Sequence, residues 1–262
     1  MPNTVSADKL FITSVDKITA FNNANEVEFI LDEIQDCTIS NSQDNTDITG
    51  KNGAIIGTLK RNKAVTVSGN NGFIVAGGLS AQTGSDVQVG SYVIRTMEIL
   101  DVASNSVTIT SEPEGAEGAE IVAVYKRNSN STMGEKFEQN ATAESTGQFS
   151  YDNKVLTFFA GDLEDGDQVV VFYDTEVTDA TIVSNNADEY SKNLKLWIDV
   201  TAQDACDKVY RGCFIIFRAD FTGTFDISMG SDAAVLAFEA RSIKNICAST
   251  ADSGKLWDFV VW

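Results

Sequence analysis

The sequence contains no histidine. That removes imidazole acid–base chemistry, histidine-dependent triads and most zinc sites together. Only two prolines occur, Pro2 and Pro113. Proline interrupts sheet ladders, so its scarcity permits long unbroken strands. Cysteine is sparse: Cys37, Cys206, Cys213 and Cys247, with no C-x-x-C pair. Cys37, Cys213 and Cys247 sit in apolar contexts (CTI, GCFII, NICA) and read as small core residues. Disulfides are not expected. Basic residues are outnumbered, 19 Lys+Arg against 38 Asp+Glu, for a formal charge of −19. Such a chain is not built to neutralise phosphates, although an acidic wall suits DNA that must slide past without sticking. No apolar run approaches the roughly 18 residues of a membrane span. The start, MPNTVSADKL, lacks the basic and apolar regions of a signal peptide. The expectation is a chain that folds where it is made and does not insert into a membrane.

Catalytic and cofactor motifs are also missing. Ser6-Ala7-Asp8-Lys9 matches S-x-x-K, but without the S-D-N and K-T-G partners that give the motif meaning. No lysine follows a glycine-rich phosphate loop, and no G-x-G-x-x-G opens a helix after a strand. The acidic run Asp162–Asp167 fails the EF-hand pattern, because Gly166 falls on the fifth position rather than the sixth. Asp165-Gly166 reads instead as a hairpin turn between NKVLTFF and DQVVVFYD. No catalytic, cofactor-binding or metal-ligating residue is expected.

What the sequence does have is strand patterning. Leu10–Ala20 and Glu26–Ile34 read as the first two strands, joined by a turn at residues 22–25. In FITSVDKI, alternation puts Phe11, Thr13, Val15 and Lys17 on one face and Ile12, Ser14, Asp16 and Ile18 on the other. Ile34–Ser40 follows as a strand, then Asn41–Gly53 as a long polar loop whose one apolar residue is Ile48, then Ala54–Ser68 as a longer strand. Asn52-Gly53 and Asn71-Gly72 are turn signals, since both residue types tolerate positive φ. Phe73–Ala81 reads as a short helix capped by Asn70 or Asn71.

From residue 87 to 185 short strands recur between glycine-rich acidic turns, the pattern of an all-β sandwich or barrel. Asn128–Thr146 reads as an arm or loop, and Ser111–Glu120 as an exposed loop. The last third is the most regular. LKLWIDVTA (194–202) alternates cleanly, GCFIIFRADFTGTFDISM (212–229) is a long β segment broken near Gly223, and AAVLAFEARSI (233–243) alternates again. The terminal LWDFVVW would be a poor exposed edge, so it is expected to be paired.

Three segments together resemble the major tail tube proteins of tailed bacteriophages. They are the Ile34–Gly78 unit, with its polar loop and KNGAIIGTLKRNKAVTVSG; YDNKVLTFFAGDLEDGDQVVVFYDTEV (151–177); and residues 195–243. The resemblance implies a mainly β fold, a β-sandwich of two packed sheets with a short flanking helix. It implies that inner strands of several subunits join one barrel in a ring, and that hexameric rings stack into a tube. Residues 1–86 and 186–262 would form the tube core, and 87–185 an additional β-rich region, either an elaboration of the core or outer decoration. Asn41–Gly53 would bridge successive rings. The expected partners are other copies, the tape-measure protein and other tail proteins, with DNA passing through unbound. The place implied is the virion tail, after synthesis in the host bacterial cytoplasm.

The candidate subunit-interface residues are Asp44, Asp47, Lys51, Asn52, Lys60, Arg61 and Lys63. Lys51, Lys60, Arg61 and Lys63 form a basic cluster in an acidic protein; they read either as a solvated strand face or as the partner of the Asp44–Asp47 segment of a neighbouring subunit. Two other readings stand beside the tube subunit: a non-catalytic binding module for carbohydrate or capsid decoration, and a glycoside hydrolase using two carboxylates.

Overall fold

The computed structural model describes residues 9–227, 235–246 and 252–262. In chain order its elements are β1 (Leu10–Phe21), β2 (Val27–Leu31), β3 (Ile34–Thr49), β4 (Ile55–Asn71), α1 (Ala76–Thr83), β5 (Gln88–Asp101), β6 (Ser106–Thr108) and β7 (Ile121–Arg127). They continue with β8 (Met133–Gln139), β9 (Gln148–Asp152), β10 (Val155–Phe158), β11 (Gln168–Ile182), β12 (Asn193–Asp204), β13 (Val209–Phe221), β14 (Leu236–Ser242) and β15 (Asp258–Val261). The chain is mainly β, with two sheets and one short α-helix among the described residues, as the strand spacing predicts. It divides into two compact units, Met1–Gln88 with Ile182–Trp262, and Val89–Thr181.

The first unit holds one antiparallel sheet in the order β2-β1-β12-β13-β14-β4-β3, with β15 also pairing β13. β12 shows why this region reads so clearly. Leu194, Leu196, Ile198, Val200 and Ala202 alternate inward and are all buried. The first four join one core with Ile18 and Ala20 of β1, Phe29 and Leu31 of β2, Val67 of β4, Ile216 and Phe221 of β13, and Leu236 and Phe238 of β14. β1 also approaches β3, although four strands separate them in the sheet order. The sheet therefore curls round its own core, and Ile34, Cys37 and Ile39 of β3 pack on it from the far end.

β1 departs from simple alternation. Its register against β12 shifts between Ile12 and Ser14 and again between Val15 and Lys17. Each shift is a β-bulge, which adds a residue and resets the face of those that follow. Ile12 and Val15 thus line the same cleft, instead of pointing to opposite faces as the sequence reading had it.

Helix α1 starts three residues later than expected. Its N-cap is Val75, with no side-chain cap, and Asn70 and Asn71 belong to β4. Gly77 and Gly78 cost about 1 kcal/mol each in a helix relative to alanine. Here they let the helix sit close: a Cβ on Gly77 would lie 2.7 Å from Phe29 Cβ, and one on Gly78 2.8 Å from Leu236 Cδ2. Burying such Phe and Leu side chains is worth about 1.5–3 kcal/mol each, which outweighs the two glycines.

Asn71-Gly72 does not take the positive φ that its turn signal rests on; Asn71 is the last residue of β4. Asn71 is fully buried. Its Oδ1 accepts from the Glu33 N–H at 3.2 Å and its Nδ2 donates to the Phe73 carbonyl at 2.8 Å. The terminal segment is paired as expected, with Phe259 opposite Phe214 and their rings stacked 4.2 Å apart. The first three residues of the S-x-x-K match, Cys247, and residues 228–229 and 233–234 lie outside the described residues.

The second unit holds a seven-stranded sheet in the order β5-β11-β7-β8-β9-β10-β6. Its core gathers Val107, Ile121, Val124, Phe137, Phe149, Leu156, Phe158, Val169, Val171 and Tyr173. Two expectations fail in this unit. Asn128–Thr146 contains a strand, β8, anchored by one buried aromatic, Phe137, packed edge-on to Phe158. The Asp165-Gly166 turn does not make a hairpin either. β10 pairs β9 and β6, while β11 pairs β7. The turn instead ties to a corner across the unit: the Gly166 N–H donates to Val102 O at 2.9 Å, and Asp165 Oδ1 accepts from the Ser104 N–H at 2.7 Å.

Candidate self-assembly surface

β3 and β4 form one antiparallel hairpin of unequal halves. In the inner half, Val65, Val67, Gly69 and Asn71 are buried and alternate with half-buried residues. Gly69 is required there, since a Cβ would fall 2.3 Å from the Asp36 carbonyl oxygen and 3.0 Å from the Phe238 ring. In the outer half, residues 41–49 and 55–63 are almost all exposed on both faces.

The segment expected to be a polar loop, Asn41–Gly53, is therefore strand as far as Thr49. Cross-strand pairing continues without a core, with Asn41 opposite Val65, Thr46 opposite Leu59 and Ile48 opposite Gly57. Thr46, Ile48 and Thr49 supply β-branched side chains, and polar neighbours hide that pattern in the sequence. The Asn52-Gly53 signal holds. Both residues have positive φ, 71° and 75°, and the Gly50 N–H donates to Ala54 O at 2.7 Å to close the turn.

All seven candidate interface residues fall on this outer half or its turn. Asp44 lies opposite Arg61, and Asn45 opposite Lys60. The acids are held by neutral donors of the same hairpin: Asn62 Nδ2 donates to Asp44 at 2.8 Å, and Thr58 Oγ1 to Asp47 at 3.0 Å. None of the ion pairs among the described residues involves Lys51, Lys60, Arg61 or Lys63. The ribbon thus carries its acids on β3 and its bases on β4 and at the turn.

Residues missed by sequence reasoning complete the surface. Ile55 and Ile56 at the tip are 62% and 71% exposed, and Ile48 and Leu59 are exposed beside them. The sequence reading placed Ala54–Ser68 as one strand of the core sheet, which describes only its second half. The signal available was the spacing: Ile55 and Ile56 are adjacent, so a strand cannot turn both to one core. β3 is also the last strand of its sheet, so among the described residues its outer edge has no strand partner along sixteen residues.

Nothing in the described residues groups three or more metal-ligating side chains. Burial, and then the charge of Asp36, pushes the Cys37 thiol up to about 11. Burial, and then a hydrogen bond with Asp199, pushes Cys213 to about 12. Neither is a ready nucleophile at neutral pH, since the thiolate is the reactive form. No helix of the described residues is long and apolar enough to cross a membrane.

No curated protein matches the chain. A family model does, over residues 10–256, which takes in both units and the whole of the hairpin. That span is nearly the full sequence, and the chain belongs to the YomU/Tube protein family, a family of phage tube proteins.

Proposed function

We propose that this chain is the structural subunit of a phage tail tube, in which copies form hexameric rings that stack into a conduit for genome ejection. The observation that carries the reading is the outer half of the β3–β4 hairpin, a long ribbon exposed on both faces that no core of its own chain stabilises. Two-stranded ribbons are marginal alone in water. A ribbon of this length with apolar residues at its tip is suited to a partner, and the family match supports other copies as that partner. The free edge of β3 suits the continuation of the sheet from one copy to the next, which closes edges into a barrel. Asp44, Asp47, Lys51, Asn52, Lys60, Arg61 and Lys63 are the interface residues in this reading, with the ribbon bridging successive rings.

The role is non-enzymatic. A formal charge of −19 supports a conduit that lets DNA pass without specific binding. The tape-measure protein and other tail proteins are the further partners, the site is the virion tail, and synthesis is in the host bacterial cytoplasm. Residues 87–185, which include the Val89–Thr181 unit, are in this reading an addition to a tube core of residues 1–86 and 186–262, as an elaboration of that core or a decoration. Negative-stain microscopy of the purified protein tests the proposal. Six-membered rings or tubes are expected; monomers or trimers at all concentrations would contradict it.

A further inference from the structure

The curled sheet of the first unit does not close. Between β1 and the base of β3 lies an open groove of about 390 Å³, lined by Ile12, Val15, Ile39, Val200, Phe214 and Trp257, with no charged residue in its lining. It shares Ile12 and Val15 with an adjoining cleft that contains Asp36 and no basic residue. We infer that this groove is the receptor for the β3–β4 hairpin tip of a second copy of the chain, an inference that rests on the tube reading above.

The two surfaces match in chemistry. The tip presents Ile48, Ile55 and Ile56 beside Lys51. The groove offers apolar walls with a carboxylate, Asp36, at its side. Burying an exposed isoleucine is favourable by about 1.5–3 kcal/mol, and opposite charges at the rim orient the encounter.

The occupant must come from another copy. Cys37, Ile39 and Asn41 of the groove are at the base of the same hairpin. Along a ribbon rising about 3.3 Å per residue, the tip at Gly50 lies roughly 30 Å from Asn41, so it cannot fold back onto its own groove. Tip and groove are different patches of one molecule, and such a heterologous contact can repeat from copy to copy. In the tube reading, that repeat is the contact between stacked rings.

Replacing Ile56 by the photo-cross-linker p-benzoylphenylalanine, in assemblies of mixed ¹⁵N-labelled and unlabelled copies, locates the tip directly. The expected result is inter-copy cross-links to peptides carrying Ile12–Val15, Ile39 or Trp257. A second variant, Ile12→Asp at the exposed wall of the groove, should abolish those cross-links while leaving the monomer's circular dichroism spectrum unchanged. Assemblies whose cross-links map to other surfaces would overturn the docking inference and leave the tube reading intact. Absence of any assembly by the unsubstituted protein would remove both.

Discussion

The inner and outer halves of the β3–β4 hairpin are the same two strands under different forces. Within the inner half each second residue of β4 is buried, and Gly69 has no room for a side chain. Beyond Ala64 the register shifts past Asn62 and Lys63, and pairing then resumes from Arg61 to Ile55 with side chains almost all exposed. Burial holds the first half, while cross-strand pairs worth about 0.2–1 kcal/mol each hold the second. The contrast separates folding from assembly: changes in one half should alter the monomer, and changes in the other should alter only its association.

The largest effect is expected from the core that holds the inner half. Leu196→Ala removes a fully buried side chain and should cost about 2–5 kcal/mol in denaturant unfolding. Asn71→Ala comes next. It leaves the Glu33 N–H and the Phe73 carbonyl without their partner, and should cost about 1–3 kcal/mol by the same measurement. In the outer half, Lys60→Glu with Arg61→Glu should change unfolding free energy by no more than about 0.5 kcal/mol. The same double variant should prevent tube growth seen by electron microscopy; normal tubes would separate these residues from the interface.

The smallest effect concerns pH and the second unit. The Glu164 N–H, and then the Lys126 ammonium at 2.6 Å, hold the Asp167 carboxyl below the usual range. Its stabilisation is complete above the ordinary carboxylate pKa and is lost as pH falls through the lowered value. Asp167→Asn should therefore flatten the acid limb of the unfolding curve slightly, which thermal melts from pH 5 to pH 2 would show. An unchanged acid limb would mean that this pair does not contribute.

Elements with one buried face were legible in the sequence. β12 is the clearest case, because its five inward residues follow strict alternation. The Asn52-Gly53 turn was legible for a different reason, the positive φ that both residues adopt. β1 misled because two bulges reset its faces, and a bulge leaves no mark in composition. β8 was missed because a single residue, Phe137, anchors it. The outer half of β3 was read as a loop for the same physical reason that makes it interesting: with no core to face, its sequence has no apolar period. The candidate charges were found from their clustering, whereas the groove was not, since it joins residues from β1, β3, β12, β13 and the terminal segment.

Amide hydrogen exchange over residues 42–63, in monomer and in assembled protein, tests the division most directly. Exchange reads local opening residue by residue. The outer hairpin should exchange fast in the monomer, well ahead of Val65–Asn71, and should become strongly protected on assembly. Slow exchange already in the monomer, or exchange unchanged by assembly, would contradict the role given to this ribbon.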